Sequence, residues 1–108
     1  MIIERAELPI TPGQESDFEG QFAIAAPYLR EARGCARVSL ARGVESSSKY
    51  LLLIEWESIE AHHAFTLSEG FDRFRDLVAR FFAGKPNTEH FAPLNTVQVS
   101  GHPGCRSD

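Results

Sequence analysis

Long apolar runs are missing from this chain. Nowhere do about 18 apolar residues follow one another, the length a membrane-spanning helix needs. Basic residues are in deficit, 11 against 15 acidic, for a net charge of −4. Affinity for nucleic acid comes mainly from Lys and Arg on phosphates, so nucleic acid is not an expected partner, and neither is a membrane. Cysteine is scarce: Cys35 and Cys105 make no metal-type spacing with each other. The opening "MIIERAELPI" carries Glu4 and Glu7 and no apolar core of signal length. The expected setting is therefore cytoplasmic, with both thiols free. Phosphate-binding glycine loops, dinucleotide fingerprints and nucleophile motifs are absent too, so no cofactor is expected.

What is present is a chain of 108 residues, 43% of them hydrophobic. Domains of that length bury about two-thirds of their unfolded surface, enough to fold without metal or disulfide. With no internal repeats or linkers, a single domain over residues 1–100 is expected, followed by a flexible tail, 101–108.

Alternating patterns predict strands over about 2–9, 35–42 and 49–57. In the first, Ile2, Ala6 and Leu8 share one face, and Ile3, Arg5 and Glu7 the other. In the second, Ala36, Val38 and Leu40 oppose Arg37 and Ser39. Between these two strands, Phe18, Phe22, Ala25 and Leu29 recur at helical spacing. Thr11, Pro12 and Gln14 predict the start of that helix, through a capping box, with its end near Ala32. Pro27 should bend or divide it, and Gly34 suits a left-handed stop. Two further helical pieces follow, capped by Ser58 and Ser68, the second with a stripe of Phe71, Phe74, Leu77, Val78 and Phe81. A last extended segment begins near "TEHF" and is interrupted by Pro93. Strand, helix, strand, strand, helices, strand is the α+β, ferredoxin-like βαββαβ order: an antiparallel sheet with helices on one face.

The third strand is apolar on both faces. Tyr50, Leu52, Ile54 and Trp56 share one, and Leu51, Leu53, Glu55 and Glu57 the other. Helices cover only one face, so a second copy packing sheet against sheet is expected to bury the two leucines. Arg–Glu pairs would then form across that interface. Pattern alone leaves open whether Trp56 faces the helices or the partner.

Projected at about 100° per residue, Phe65, His62, Thr66, Ile59, His63 and Leu67 fall on one helical arc. Burial there favours neutral imidazole, which can act as a general base near neutral pH. Two readings stay open, since histidines on apolar helix faces are more often packed than catalytic. Trp56 and the phenylalanines equally suit a core. His62 and His63 diverge by about 100° on a helix, which makes them poor joint metal ligands, and no metal is expected.

The run "YLLLIEWESIEAHHAFTLSEGFDRFRDLVARFF" followed by "TEHF" resembles the antibiotic biosynthesis monooxygenase-like family, over about residues 1–100. Its marks are an apolar strand ending in Glu-x-Trp, a Ser-led helix with histidine, Ser-x-x-Phe-x-x-Phe, and a His-Phe pair. The resemblance implies a homodimer joined through its sheets, a dimeric α/β barrel. It also implies oxygenation of a phenolic or quinol-type aromatic substrate without metal or flavin. In that picture His63 is the base, and Trp56 and Tyr28 donate to the substrate oxyanion. Phe22, Phe65 and Phe74 are the walls of its pocket, with His62 and His90 beside the substrate. Haem-degrading relatives carry an asparagine on the first strand. This chain has none there, and Thr66 stands where those relatives place a histidine, so haem degradation is disfavoured. The alternative function is a non-catalytic homodimer that binds a small aromatic ligand.

Overall fold

The computed structural model describes residues 1–94. The expected tail, with His102 and Cys105, lies outside them. Four strands run β1 (Ile2–Pro9), β2 (Cys35–Arg42), β3 (Lys49–Trp56) and β4 (Asn87–Phe91), with helices α1 (Glu15–Arg30), α2 (Ile59–Thr66) and α3 (Glu69–Val78). The sheet order is β2-β3-β1-β4, every neighbouring pair antiparallel. This is the ferredoxin-like arrangement that the element order predicts. Among the described residues no helix is long and apolar enough to cross a membrane.

The core lies between one sheet face and the helices. Ala6 and Leu8 of β1 and Tyr50, Leu52, Ile54 and Trp56 of β3 meet Phe18, Phe22, Ala25 and Leu29 of α1 and Phe74 and Val78 of α3 there. Trp56 therefore faces the helices. Each fully buried side chain such as Ile54 or Val78 stabilises the fold by about 1.5–3 kcal/mol. On the other face, Leu51 and Leu53 are half-buried beside Arg5 and Glu7. Arg5 forms ion pairs within its own chain, at 2.8 Å to Glu7 and 3.2 Å to Glu89.

Three local details depart from the sequence pattern. The capping box at Thr11 is absent: α1 starts at Glu15, and the Thr11 hydroxyl donates instead to the Phe81 carbonyl at 3.1 Å. Thr11–Gln14 is a tight turn, closed by the Gln14 N–H on the Thr11 carbonyl at 3.0 Å, with Gly13 at φ 92°. Pro27 does not divide α1. The carbonyl that loses its bond belongs to Ala23, an exposed residue, where water can replace the missing donor. In β2 the register shifts between Cys35 and Arg37, so Ala36 is exposed and Cys35 takes the core-side place opposite Trp56.

Gly34 is left-handed at φ 84°, as expected, but in the turn after α1 rather than as its immediate stop. A Cβ there would lie 2.7 Å from the Ala61 Cβ, so only glycine lets this turn approach α2 so closely. Both expected serine caps are present. The Ser58 side chain accepts from the Ala61 N–H, and that of Ser68 from the Phe71 N–H.

Candidate functional site

Strand register assembles the site. Trp56, the last residue of β3, pairs with Ile2 on β1, and Glu4 pairs with Ile54. Trp56 and Glu4 are thus diagonal neighbours on the helix-facing side, within reach of long side chains. On the other flank of β1, His90 of β4 pairs directly with Glu4. The Ser58 cap starts α2 immediately after β3, and the first turn carries His62 over the end of the sheet. Its ring stacks on Trp56, with centroids 5.2 Å apart and planes 15° from parallel.

These four side chains form one connected chain of polar contacts. The Trp56 Nε1–H donates to Glu4 Oε1 at 2.9 Å. His62 Nε2 lies 3.2 Å from the same oxygen. His62 Nδ1 lies 2.7 Å from His90 Nε2. Glu4 is only 7% exposed, a charged side chain inside the core. Burial pushes its carboxyl above the usual carboxylate range, while the Trp56 hydrogen bond and the charge of His90 pull it back. His62 is pushed down to about 4, first by burial and then by the charges of His90 and His63, so it is neutral at pH 7.

Glu4 Oε1 accepts one hydrogen bond in the cluster, from the Trp56 Nε1–H; His62 Nε2 lies close to the same oxygen without being hydrogen-bonded to it. The His62 Nδ1–His90 Nε2 contact carries one hydrogen, on either ring according to tautomer, and ties the two imidazoles together.

The residues singled out by sequence end in different places. Trp56, His62 and His90 come together. His63 is exposed on α2, its ring 6.2 Å from His62 and 6.4 Å from His90. The predicted apolar arc is therefore narrower than the projection: α2 ends at Thr66, and Leu67 is 89% exposed. Trp56 has one N–H, given to Glu4, and a ring with no exposed surface. It holds the carboxylate rather than donating to a substrate oxyanion. Tyr28 is exposed on α1, with its carbonyl near Gly70, and no hydrogen bond joins it to Glu4, Trp56 or the histidines. Phe65 packs on Trp56 at 5.6 Å and reaches the cluster that way, whereas Phe22 and Phe74 pair with each other at 6.0 Å in the core. An open hollow of about 530 Å³ beside Gln14, Asp17, Gln21 and Arg80 shares no residue with the cluster.

Glu4 is the member that pattern reading passed over. Its signal was a carboxylate on the same strand face as Ile2, Ala6 and Leu8, a position that burial penalises unless partners are waiting. Among the described residues, no group of three or more His, Cys, Asp or Glu side chains is arranged to hold a metal ion.

Comparison with known proteins places these elements in context. The model of the antibiotic biosynthesis monooxygenase family matches residues 1–77. The uncharacterized protein YczJ of Bacillus subtilis (strain 168) is 39% identical over 92 residues, covering 84% of this chain and 97% of YczJ. A crystal structure from Bordetella bronchiseptica, named for the same family, is 37% identical and superposes with a TM-score of 0.83, covering 87% of this chain and 97% of that one. SnoaB, a cofactor-independent oxygenase from Streptomyces nogalater, shares the fold with a TM-score of 0.78 at 17% identity, over 91% of this chain and 97% of its own.

Proposed function

The chain belongs to the antibiotic biosynthesis monooxygenase family, and from that premise we propose that it is a cofactor-independent monooxygenase acting on a phenolic or quinol-type aromatic substrate. The supporting observation is the Glu4–His62–His90 chain, a carboxylate and two imidazoles in series at the rim of an apolar core. Such chemistry needs a base above all. Removing the phenolic proton gives an electron-rich anion able to reduce oxygen itself. For a phenol with an oxidisable ring C–H, one oxygen atom enters the product as a quinone carbonyl and the other leaves as water. The substrate supplies all the electrons, so the protein has to bind, deprotonate and exclude bulk water. The cofactor-independent oxygenase SnoaB, built on the same fold, is consistent with this assignment.

The working unit in this reading is a cytoplasmic homodimer joined through the open sheet face. Leu51 and Leu53 supply the apolar surface, and Arg5, already held by Glu7 and Glu89, forms a charged border. One experiment tests the activity: oxygen uptake by metal-free, flavin-free protein across a panel of anthrone-like phenols and quinols. Uptake above the uncatalysed rate, with water and a quinone as products, is the expected result. Aromatic compounds that bind without any uptake would make the protein a ligand-binding dimer instead.

A further inference from the structure

We propose that the His62–His90 contact is an acid-released latch: it holds the edge strand β4 against α2 and lets it go on protonation. The strand has little else to hold it. It is five residues long, and only His90 among them is half-buried, the other four being exposed. Among the described residues its backbone pairs with β1 alone. Two side-chain hydrogen bonds join it to the rest of those residues. On the open face Arg5 donates to Glu89 at 3.2 Å, and on the helix-facing side His90 Nε2 meets His62 Nδ1 at 2.7 Å. Only the second reaches the helices.

That contact has room for one hydrogen. Two neutral imidazoles carry one ring hydrogen each, and one of these can sit between Nδ1 and Nε2. A first added proton leaves the bond in place, because it can go to the outer nitrogen of the donating ring. A second puts hydrogens on both facing nitrogens and two cations side by side, so a 2.7 Å approach becomes a repulsion. Burial, then the charges of His90 and His63, push His62 down to about 4 in the closed form. Once the strand lifts, His62 returns toward the ordinary 6.5. The opened form binds more protons between those values, so acid favours opening.

The groups around the ring set the size of the effect. Glu4 on β1, 3.2 Å from His62 Nε2, is the nearest counter-charge to an imidazolium. Burial pushes its carboxyl up, so it neutralises before His62 takes its proton and that counter-charge is lost. Its own proton uptake favours the closed form and opposes part of the opening. His63 on α2 adds like charge, with its ring 6.2 Å from that of His62. Cys35 on β2, opposite Trp56, has a thiol that burial pushes up, and it stays neutral in acid. Release uncovers the β1 edge beside Glu4, so the candidate site opens from the side of its last strand. The latch needs no substrate and stands apart from the oxygenase reading.

Hydrogen exchange of the intact chain, read by mass spectrometry and corrected for intrinsic pH dependence, measures the opening. The opening constant of Asn87–Phe91 should rise on the order of 10²-fold between pH 7 and pH 4, as the shift of His62 requires. Lys49–Trp56 of β3 should stay protected at the same time points, which separates release of the edge from global unfolding. His62→Gln removes the resisted proton and should flatten the rise. His90→Gln leaves a single imidazole that can still donate to the new amide, and should reduce it; this variant serves alone if His62→Gln does not fold. Glu89→Gln should weaken protection of β4 at every pH and keep its acid dependence. An opening constant unchanged between pH 7 and pH 4 would overturn the proposal. So would a rise that Glu89→Gln abolishes and the histidine variants retain, or exposure of β3 together with β4 at every pH.

Discussion

Glu4 and His90 sit directly opposite each other on adjacent strands, and His62, descending from the helix above, hydrogen-bonds to His90 and comes within 3.2 Å of Glu4. A cross-strand pair of that kind would ordinarily meet by itself. Here a third residue is placed between its members, so the order carboxylate, imidazole, imidazole is written into the register of β1 and β4 and the start of α2.

Trp56→Phe should destabilise the fold by about 2 kcal/mol or more, since a buried acceptor of partial or full charge loses its donor. Urea unfolding should show a lower midpoint at unchanged slope. A variant as stable as the wild type would mean that Glu4 finds another donor.

Acidification should weaken the protein through His62. Its pKa in the folded chain is pushed down to about 4, against 6.5 for an unperturbed histidine, so the unfolded state binds more protons between those values. Stability contributed by neutral His62 is complete above about pH 6.5 and is lost as the pH falls toward 4. Glu4 on β1, His90 on β4 and His63 on α2 face the same ring, and Glu4 works in the opposite direction. Its raised value means the folded state takes up its proton first as pH falls. The expected signature is therefore a difference: His62→Asn should flatten the loss between pH 6.5 and 4, measured by thermal or urea unfolding.

Gly34→Ala should cost about 1–3 kcal/mol, because a left-handed backbone and a 2.7 Å approach to the Ala61 Cβ coincide there. The consequence reaches the site, since Ala61 immediately precedes His62. Loss of the His62–His90 contact should be visible in the histidine ring shifts of this variant, even where it remains folded.

Leu51→Glu combined with Leu53→Glu should convert a dimer into monomers in sedimentation, leaving the helix-facing core intact by circular dichroism. Charges on this face cannot be buried against a second sheet without a large desolvation cost. A dimer that persists in this double variant would place the contact elsewhere.

The sequence carried the fold well because its period-2 and period-3.6 patterns are strong where the core is made. Tyr50, Leu52, Ile54 and Trp56 alternate cleanly, and Ser58 and Ser68 announce the two helices that follow. It misled where a local irregularity decides. The shift at Cys35–Arg37 exchanges Ala36 for Cys35 on the core side, and no alternation can signal one extra residue. The site was half legible. His62, Trp56 and His90 stood out by residue type, but which histidine turns inward depends on where α2 ends and how it lies on the sheet. Glu4 was hidden for a different reason: an acid in a strand looks like a solvent-side residue until the partners from β3, α2 and β4 are known.

The register of β4 has one more consequence. This strand is five residues long and, among the described residues, pairs with β1 alone, yet it brings the outermost imidazole. A growing chain that has made β1 through α3 already holds Glu4, Trp56 and His62, and still lacks His90. On the proposed reading, reactivity would therefore appear only after β4 docks, and would vanish first whenever that edge frays. On the same reading, an incompletely folded copy would stay chemically silent.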